Sequence, residues 1–518
     1  MTMSKELGLR EEDSLNKRYF FKLLANIISL ILNLLIQAII PRGLGPNAYG
    51  DFNFLSSFFT QLVAFFDMGT STCFYTKLSQ RSQESSLVSF YLYFSGILFA
   101  IIISFIFISK IFSVNEYIWP NQKLLFIYLA ALWSFLTWIM TVMGLMVDAY
   151  GLTVIGEKAR ILQRCMATIL IIFIYIFHQL DLINLFFYHY IILIFIIGSY
   201  IWIITCNGFV INLRIYFLLQ NVKAHLQEFY VYSHPLFITA LIGLIAGIFD
   251  RWVLQIFAGS VQQGFFGLSY QVSTICILFT TAMSPLLTRE LTIAYSQKDL
   301  AQMAQLFRRY LPALYSIAAY FSCFIAFQAG KVISIMAGSH FRGALVAIAI
   351  MALYPMHQTY GQLTGSVFYA SGQTVTYRNI SIVITLVGLP LTYLLIAPKN
   401  LMGFETGSTG LAIKMVLLNI IGVNVQLYFA SRFLKIRFSR YILHQIGTVA
   451  FMAAIAFTVK YVVDEIVFLP GGVLANFLIA GLLYSIIIII VTYYYPILFG
   501  ISKQDVRSIF HILRTRFA

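Results

Sequence analysis

Apolar residues in this chain neither alternate with polar ones nor recur at every third or fourth position; they run on. Stretches such as "IILIFIIGSYIWII" and "YSIIIIIVTYYY" are apolar on every face. A helix that is apolar all round suits lipid, and about 20 such residues cross the hydrocarbon layer. Fourteen stretches of this kind lie between residues 19 and 499. The alternating segments of a membrane β-barrel are absent. The pattern therefore predicts an all-α polytopic membrane protein with about 14 transmembrane helices.

Polar punctuation divides these runs. "PRGLGPNAYGDFNF", residues 41–54, is dense in turn formers yet is flanked by apolar stretches. Glycine reaches backbone conformations closed to other residues, and proline presets φ, so Gly45, Pro46 and Gly50 read as a structural turn. A shift of 214 residues brings Gly45, Gly50, Phe52, Thr60 and Phe65 onto Gly259, Gly264, Phe266, Thr274 and Phe279. The same turn thus joins the first two spans of each of two six-span blocks, and internal repeats are a mark of secondary transporters. The resulting division is a cytoplasmic tail over 1–18, a first lobe over 19–207 and a linker over 208–228. A second lobe over 229–433, two added helices over 442–499 and a basic tail over 500–518 follow. In that tail Val506, Ile509, Phe510, Leu513 and Phe517 share one helical face, which suits an interfacial helix on anionic lipid; a frayed basic end is the plainer reading.

Composition agrees and adds orientation. The chain of 518 residues is 60% hydrophobic and 10% charged, against roughly a quarter charged in soluble domains. Its net charge of +15 does not call for a nucleic-acid partner, because basic residues collect in the cytoplasmic loops of polytopic proteins. With the N-terminus inside and the spans alternating, 25 Lys and Arg fall on the cytoplasmic side and 8 on the other, with Lys414 inside a span. Both termini are then cytoplasmic. The five cysteines are scattered in or beside apolar runs without a CxxC pair, which argues against a disulfide frame or structural zinc. No G-x-x-x-x-G-K-[ST] loop for ATP phosphates is present. No loop is long enough for a soluble domain, so the protein works within the bilayer and is not read as an enzyme.

Polar residues inside spans are the candidate chemistry. Asn26, Ser29, Asn33 and Gln37 share one helical face, and the next span adds Asn53 and Gln61. They wall a polar cavity or bind neighbouring helices, the latter at roughly 0.6 kcal/mol per contact. "YPMHQTYGQLTGSVFYASGQ" carries His357, Gln358 and Gln362 behind Pro355, and broken polar helices often line cavities. Histidine is the side chain whose ordinary titration lies nearest neutral pH, so His357 and His234, with Asp67, are the candidates for ion coupling. Asp67 falls some 27 Å along its span at the helical rise, near the cytoplasmic edge. Lys414 lies only about 8 Å into its own span, as a cavity cation or one that snorkels to the interface. Lys77 and Arg289 end the second span of each lobe at the cytoplasmic mouth, where they capture an anion or simply follow the charge bias.

One stretch carries a family resemblance. "IIPRGLGPNAYGDFNFLSSFFTQLVAFFDMGTSTCF" resembles the N-terminal signature of the polysaccharide-transporter family, the Wzx-type O-antigen flippases. These belong to the multidrug/oligosaccharidyl-lipid/polysaccharide exporter superfamily. The matching positions are Leu44, Gly45, Pro46, Tyr49 and Gly50, then Asp67 and Gly69 of a D-x-G element. The second lobe departs, with Ser260 in place of the proline and Thr281 in place of the aspartate. The resemblance implies two six-helix lobes in a V, in the inner membrane. It implies a flippase that moves a polyprenyl-diphosphate-linked oligosaccharide (an O-antigen, capsule or exopolysaccharide unit) from the inner to the outer leaflet by alternating access. It implies no cofactor beyond a coupling H+ or Na+, and contact with membrane lipids, a polysaccharide polymerase and chain-length machinery. The rivals are a peptidoglycan lipid-precursor flippase, which has a richer set of cavity arginines, and a cation-coupled multidrug exporter. A membrane glycosyltransferase or polymerase fits less well, lacking its large outer loop here.

Overall fold

The structure, a computed structural model, describes residues 15–177, 179–209, 222–466 and 472–500. Most of the tail over 1–18, most of the linker over 208–228 and nearly all of the basic tail with its amphipathic face lie outside the described residues, as does the side chain of Asn26. Among the described residues all regular structure is helical, and 11 helices are long and apolar enough to cross a membrane.

The turn of residues 41–54 proves to be a break of a single residue. The long helix α1 (Leu15–Asp67) is interrupted only at Gly45, at φ 71° and ψ 172°. That region of backbone space is essentially closed to residues with a Cβ. Pro46 then opens the second half of α1, at the first helical position where its missing N–H costs nothing. Gly50 lies in that second half with ordinary helical backbone. After α2 (Thr70–Gln80), α3 (Ser85–Ile111), α4 (Asn115–Ile118), α5 (Leu124–Ala149), α6 (Thr153–Phe177), α7 (Leu182–Cys206) and α8 (Val222–Ser233), the device returns. Helix α9 (Phe237–Ile275) is broken only at Gly259, at φ 78° and ψ −179°. Two glycines 214 positions apart in the chain therefore share one rare conformation.

The chain divides into two compact units, 1–256 and 257–518. This boundary falls later than the linker at 208–228, because the first half of α9 packs on the first unit. Trp252 donates from its indole nitrogen to the Tyr117 carbonyl at 2.8 Å. Gly247 lies so close to Gln61 that a Cβ there would meet Cδ at 2.8 Å. At the end of this unit that carries Gly45, Gln122 donates to Asp51 at 2.7 Å and Gly43 lies against Leu180. At the opposite end α8 is clasped to α2 and α3: Arg81 reaches Glu228 at 2.6 Å, and the rings of Phe229 and Phe90 meet at a tilt with centroids 5.4 Å apart.

The second unit holds α10 (Leu278–Ser296), α11 (Leu300–Phe327), α12 (Ala329–Met336), α13 (Leu345–Met351), α14 (Tyr354–Ala370), α15 (Thr374–Ile396), α16 (Gly407–Phe433), α17 (Phe438–Tyr461) and α18 (Gly472–Tyr494). Its core gathers Phe307, Tyr315, Tyr360, Phe368 and Tyr484, all fully buried. Helices 13 and 14 of the sequence reading, here α17 and α18, pack on this core through Ala456 and Tyr484.

Candidate functional site

Helix α6 starts at Thr153, eight residues before the span at 161–178 expected from the apolar run, directly after Gly151 at φ 75°. This earlier start brings Glu157 and Arg160 into the same helix as Arg164. Their spacings of three and four put them on one face. Glu157 is 2% exposed and its carboxylate takes Arg160 at 3.1 Å; Arg160 also meets the Tyr200 hydroxyl of α7. Arg164 lies one turn further in. It is about 16 Å from the start of α6 and about 20 Å from its end by the helical rise.

No carboxylate pairs with Arg164 among the described residues. Its Nη1 donates to the side-chain oxygen of Asn33 in α1 at 2.9 Å, and its Nε is buried without a partner. The charged or titratable groups near it are Arg160 and the hydroxyls of Tyr188 and Tyr200, and His189 lies within electrostatic range. A half-buried cation whose hydrogen bond is to an amide is costly unless something compensates it. A guanidinium offers paired N–H donors that match phosphate or carboxylate oxygens.

The residues singled out in the sequence, Asn26 apart, have these places. Asn33 binds the cation directly. Ser29, one turn before it on the same face, keeps a buried hydroxyl without a partner, and Gln37 is engaged. Asn53 donates to the Tyr49 carbonyl one turn back, at 2.7 Å. Gln61 packs on Gly247. Asp67 organises the start of α2: it accepts from the Thr70 hydroxyl at 2.9 Å, the Ser71 amide at 2.9 Å and the Ser71 hydroxyl at 2.8 Å. With Gly69 at φ 79°, the D-x-G element is a helix-capping turn. His234 is exposed and stacks on Tyr230 with centroids 5.4 Å apart, beside an apolar cavity of about 460 Å³ lined by Phe66, Phe94 and Phe237 among others.

Lys77 stands 3.9 Å from Glu228, and the exposed Arg289 pairs with its neighbour Glu290 at 2.8 Å. Both cations thus have a carboxylate. Lys414 does not reach out of the protein: it is 7% exposed and lies against Gly388 of α15, where an added Cβ would stand 3.4 Å from Nζ. Span 10 is α14. There Gln362 accepts from Ser284 at 3.4 Å, Gln358 is half-buried, and His357 is buried beside Tyr315, its Nδ1 unpartnered.

Arg160 and Arg164 were not among the candidates drawn from the sequence: Arg160 preceded the expected span at 161–178, and Arg164, three residues into it, was counted with the cytoplasmic loop. The signal was Gly151 followed by a polar face, Glu157, Arg160 and Arg164, continuous with the apolar run.

The family model described as "Polysaccharide biosynthesis protein" matches residues 15–289. A search of curated proteins finds no match. Among solved structures the fold is similar to the lipid II flippase MurJ in an inward closed conformation, at 14% identity and TM-score 0.65 over 92% of this chain and 99% of that one. It is also similar to an inward-facing multidrug resistance MATE family transporter of the MOP superfamily. That likeness has 17% identity and TM-score 0.62, over 79% of this chain and 94% of that one.

Proposed function

The chain belongs to the polysaccharide biosynthesis protein family, and from that membership we propose that it is a flippase for a polyprenyl-diphosphate-linked oligosaccharide. It works in the cytoplasmic membrane by alternating access, with both termini inside the cell. The observation that carries this reading is Arg164, a cation at mid-helix with no carboxylate partner among the described residues. Lys77 and Arg289 each have one. A sugar-diphosphate headgroup cannot enter hydrocarbon unaided. Arg164, oriented by Asn33, supplies the charge-assisted hydrogen bonds that replace its water. Compensation is mutual: the anion offsets the desolvation of the half-buried cation, and the cation that of the anion. The chain carries no loop for ATP phosphates, so the energy comes from an H+ or Na+ gradient or from the lipid gradient itself.

The test is complementation of a flippase-deficient strain, with surface polysaccharide as the readout and a membrane-abundance blot beside it. Arg164→Ala is expected to reduce export about a hundredfold at unchanged abundance, the scale of a truncated buried charge contact. Arg164→Lys is expected to recover part of it, since the charge returns without the paired donors. Near-normal export from Arg164→Ala overturns the reading.

A further inference from the structure

We propose that Phe52, Trp133 and His189 form a slot for the first pyranose ring of the substrate, on the Gly45 side of Arg164. This rests on the flippase reading above and adds the element that would read the sugar. The three rings come from α1, α5 and α7. Phe52 stacks on His189 with centroids 5.3 Å apart and planes 7° apart. Trp133 turns its ring to both, at 5.3 Å and 64° from Phe52 and at 5.6 Å and 58° from His189. All three are only half-buried, so the cluster is not closed into the core.

The cluster has one polar atom out of place. His189 Nε2 is buried without a hydrogen-bond partner, and an unmatched buried nitrogen is costly. Packing alone would be served better by Phe or Leu. A pyranose presents an apolar C–H face and a rim of hydroxyls. Aromatic faces suit the first, and a lone imidazole nitrogen suits the second, donating or accepting according to tautomer. Sites for small molecules commonly combine aromatic walls with a few placed polar groups in this way.

The level also fits. The contacts of Gln122 with Asp51 and of Gly43 with Leu180 put the Gly45 break and the ends of α5, α6 and α7 at one end of the unit. Counted from that end at the helical rise, Phe52, Trp133 and His189 lie roughly 9 to 14 Å in and Arg164 about 20 Å in. The offset is about the length of one sugar unit. A diphosphate held at Arg164 thus places the ring attached to it among the aromatics.

The experiment uses the purified full chain in lipid nanodiscs and native mass spectrometry. The probes are undecaprenyl diphosphate and the same carrier bearing a single glucose, galactose, N-acetylglucosamine or N-acetylgalactosamine. At least one sugar-bearing probe should bind the wild type about tenfold or more tighter than the bare carrier, the scale of a matched hydroxyl and apolar contact. His189→Leu and Trp133→Leu should each bring that ratio close to one while leaving bare-carrier affinity unchanged. Trp133→Phe, which keeps a ring, should retain most of the preference. A wild type that binds bare and sugar-bearing carriers alike overturns the slot and leaves the flippase reading standing. Equal loss of bare-carrier binding in His189→Leu also overturns it, since the residue then only supports the fold. A wild type that binds none of the probes defeats the flippase reading and the slot with it.

Discussion

Two polar clusters of this protein, one in each unit, use their hydrogen-bonding groups in opposite ways. In the second unit, α10 and α14 meet along a ladder of hydroxyls and amides. Thr280 pairs with Thr359 at 2.9 Å, Ser284 with Gln362 at 3.4 Å and Thr288 with Ser366 at 2.8 Å. The rungs recur every three or four residues, as helix faces require, and in each rung a group of one helix meets a group of the other. In the first unit, Arg164 and His189 are left with buried nitrogens that no described residue satisfies. A completed ladder is how helices without a hydrophobic driving force hold together in lipid. An incomplete cluster around a cation is a place where a ligand completes the count. Polar density in a span therefore does not identify a path by itself; a rung completed by the neighbouring helix is explained by packing alone.

The two glycine breaks are where the units agree, and changing them should have the largest effect on stability. Gly45 and Gly259 have no atom within 4 Å of where a Cβ would stand, so Gly45→Ala and Gly259→Ala meet no clash. The cost is backbone strain alone, about 1 to 3 kcal/mol each. It should appear as matching drops in the midpoint of thermal unfolding for the two variants, while an alanine at Gly50 carries no such strain. Unequal drops would break the equivalence of the two repeats.

Arg164 sets the sign of the comparison. Arg164→Leu should leave the purified, substrate-free protein as stable as the wild type or more stable, by about 1 to 2 kcal/mol. It removes a half-buried charge with no carboxylate partner among the described residues, in the variant class for which export is expected to fail. Loss of stability would mean that the cation holds the unit together and belongs with the ladder.

The ladder should respond the other way, and weakly. Thr280→Val and Thr359→Val should each lower stability by roughly 0.6 kcal/mol. The double variant should cost little more than either single, since both remove one contact. Export at normal protein levels is expected from all three.

The smallest expected effect concerns the clasp of α8. His225 is buried against Ser86 and Glu84, at 3.3 and 3.7 Å, with Phe90, Arg81 and Glu228 around it. Burial holds its imidazole below the ordinary histidine range, against the opposing pull of Glu84 and Glu228. A depressed base favours the neutral form in the docked state. The docking is therefore at full strength above the ordinary value of about 6.5 and weakens as pH falls below it. Once exchange is corrected for its intrinsic pH dependence, protection over 222–233 should be lower at pH 5.5 than at pH 7.5, and His225→Phe should flatten that difference. Higher protection on acidification would reverse the assignment.

Much of this was legible before any coordinates. The unbroken apolar runs fix an all-helical membrane protein, because lipid leaves helices as the solution for such segments. The glycine at the head of each repeat was readable as well, since its conformation is a local property that few other residues can adopt. The polar face of Asn33 was also visible, as helical periodicity is written directly in spacing. Three things were decided only in three dimensions. Asp67 turned out to cap α2, because its acceptors are filled by Thr70 and Ser71. Lys414 turned inward, although its distance from the helix end allowed it to reach out. Arg164 became an uncompensated cation because Glu157 is taken by Arg160 and Asn33 arrives from another helix. Sequence determines which groups a helix carries and on which face. Which of them are left without a partner depends on what the neighbouring helices bring to the same depth, and only the packed structure decides that.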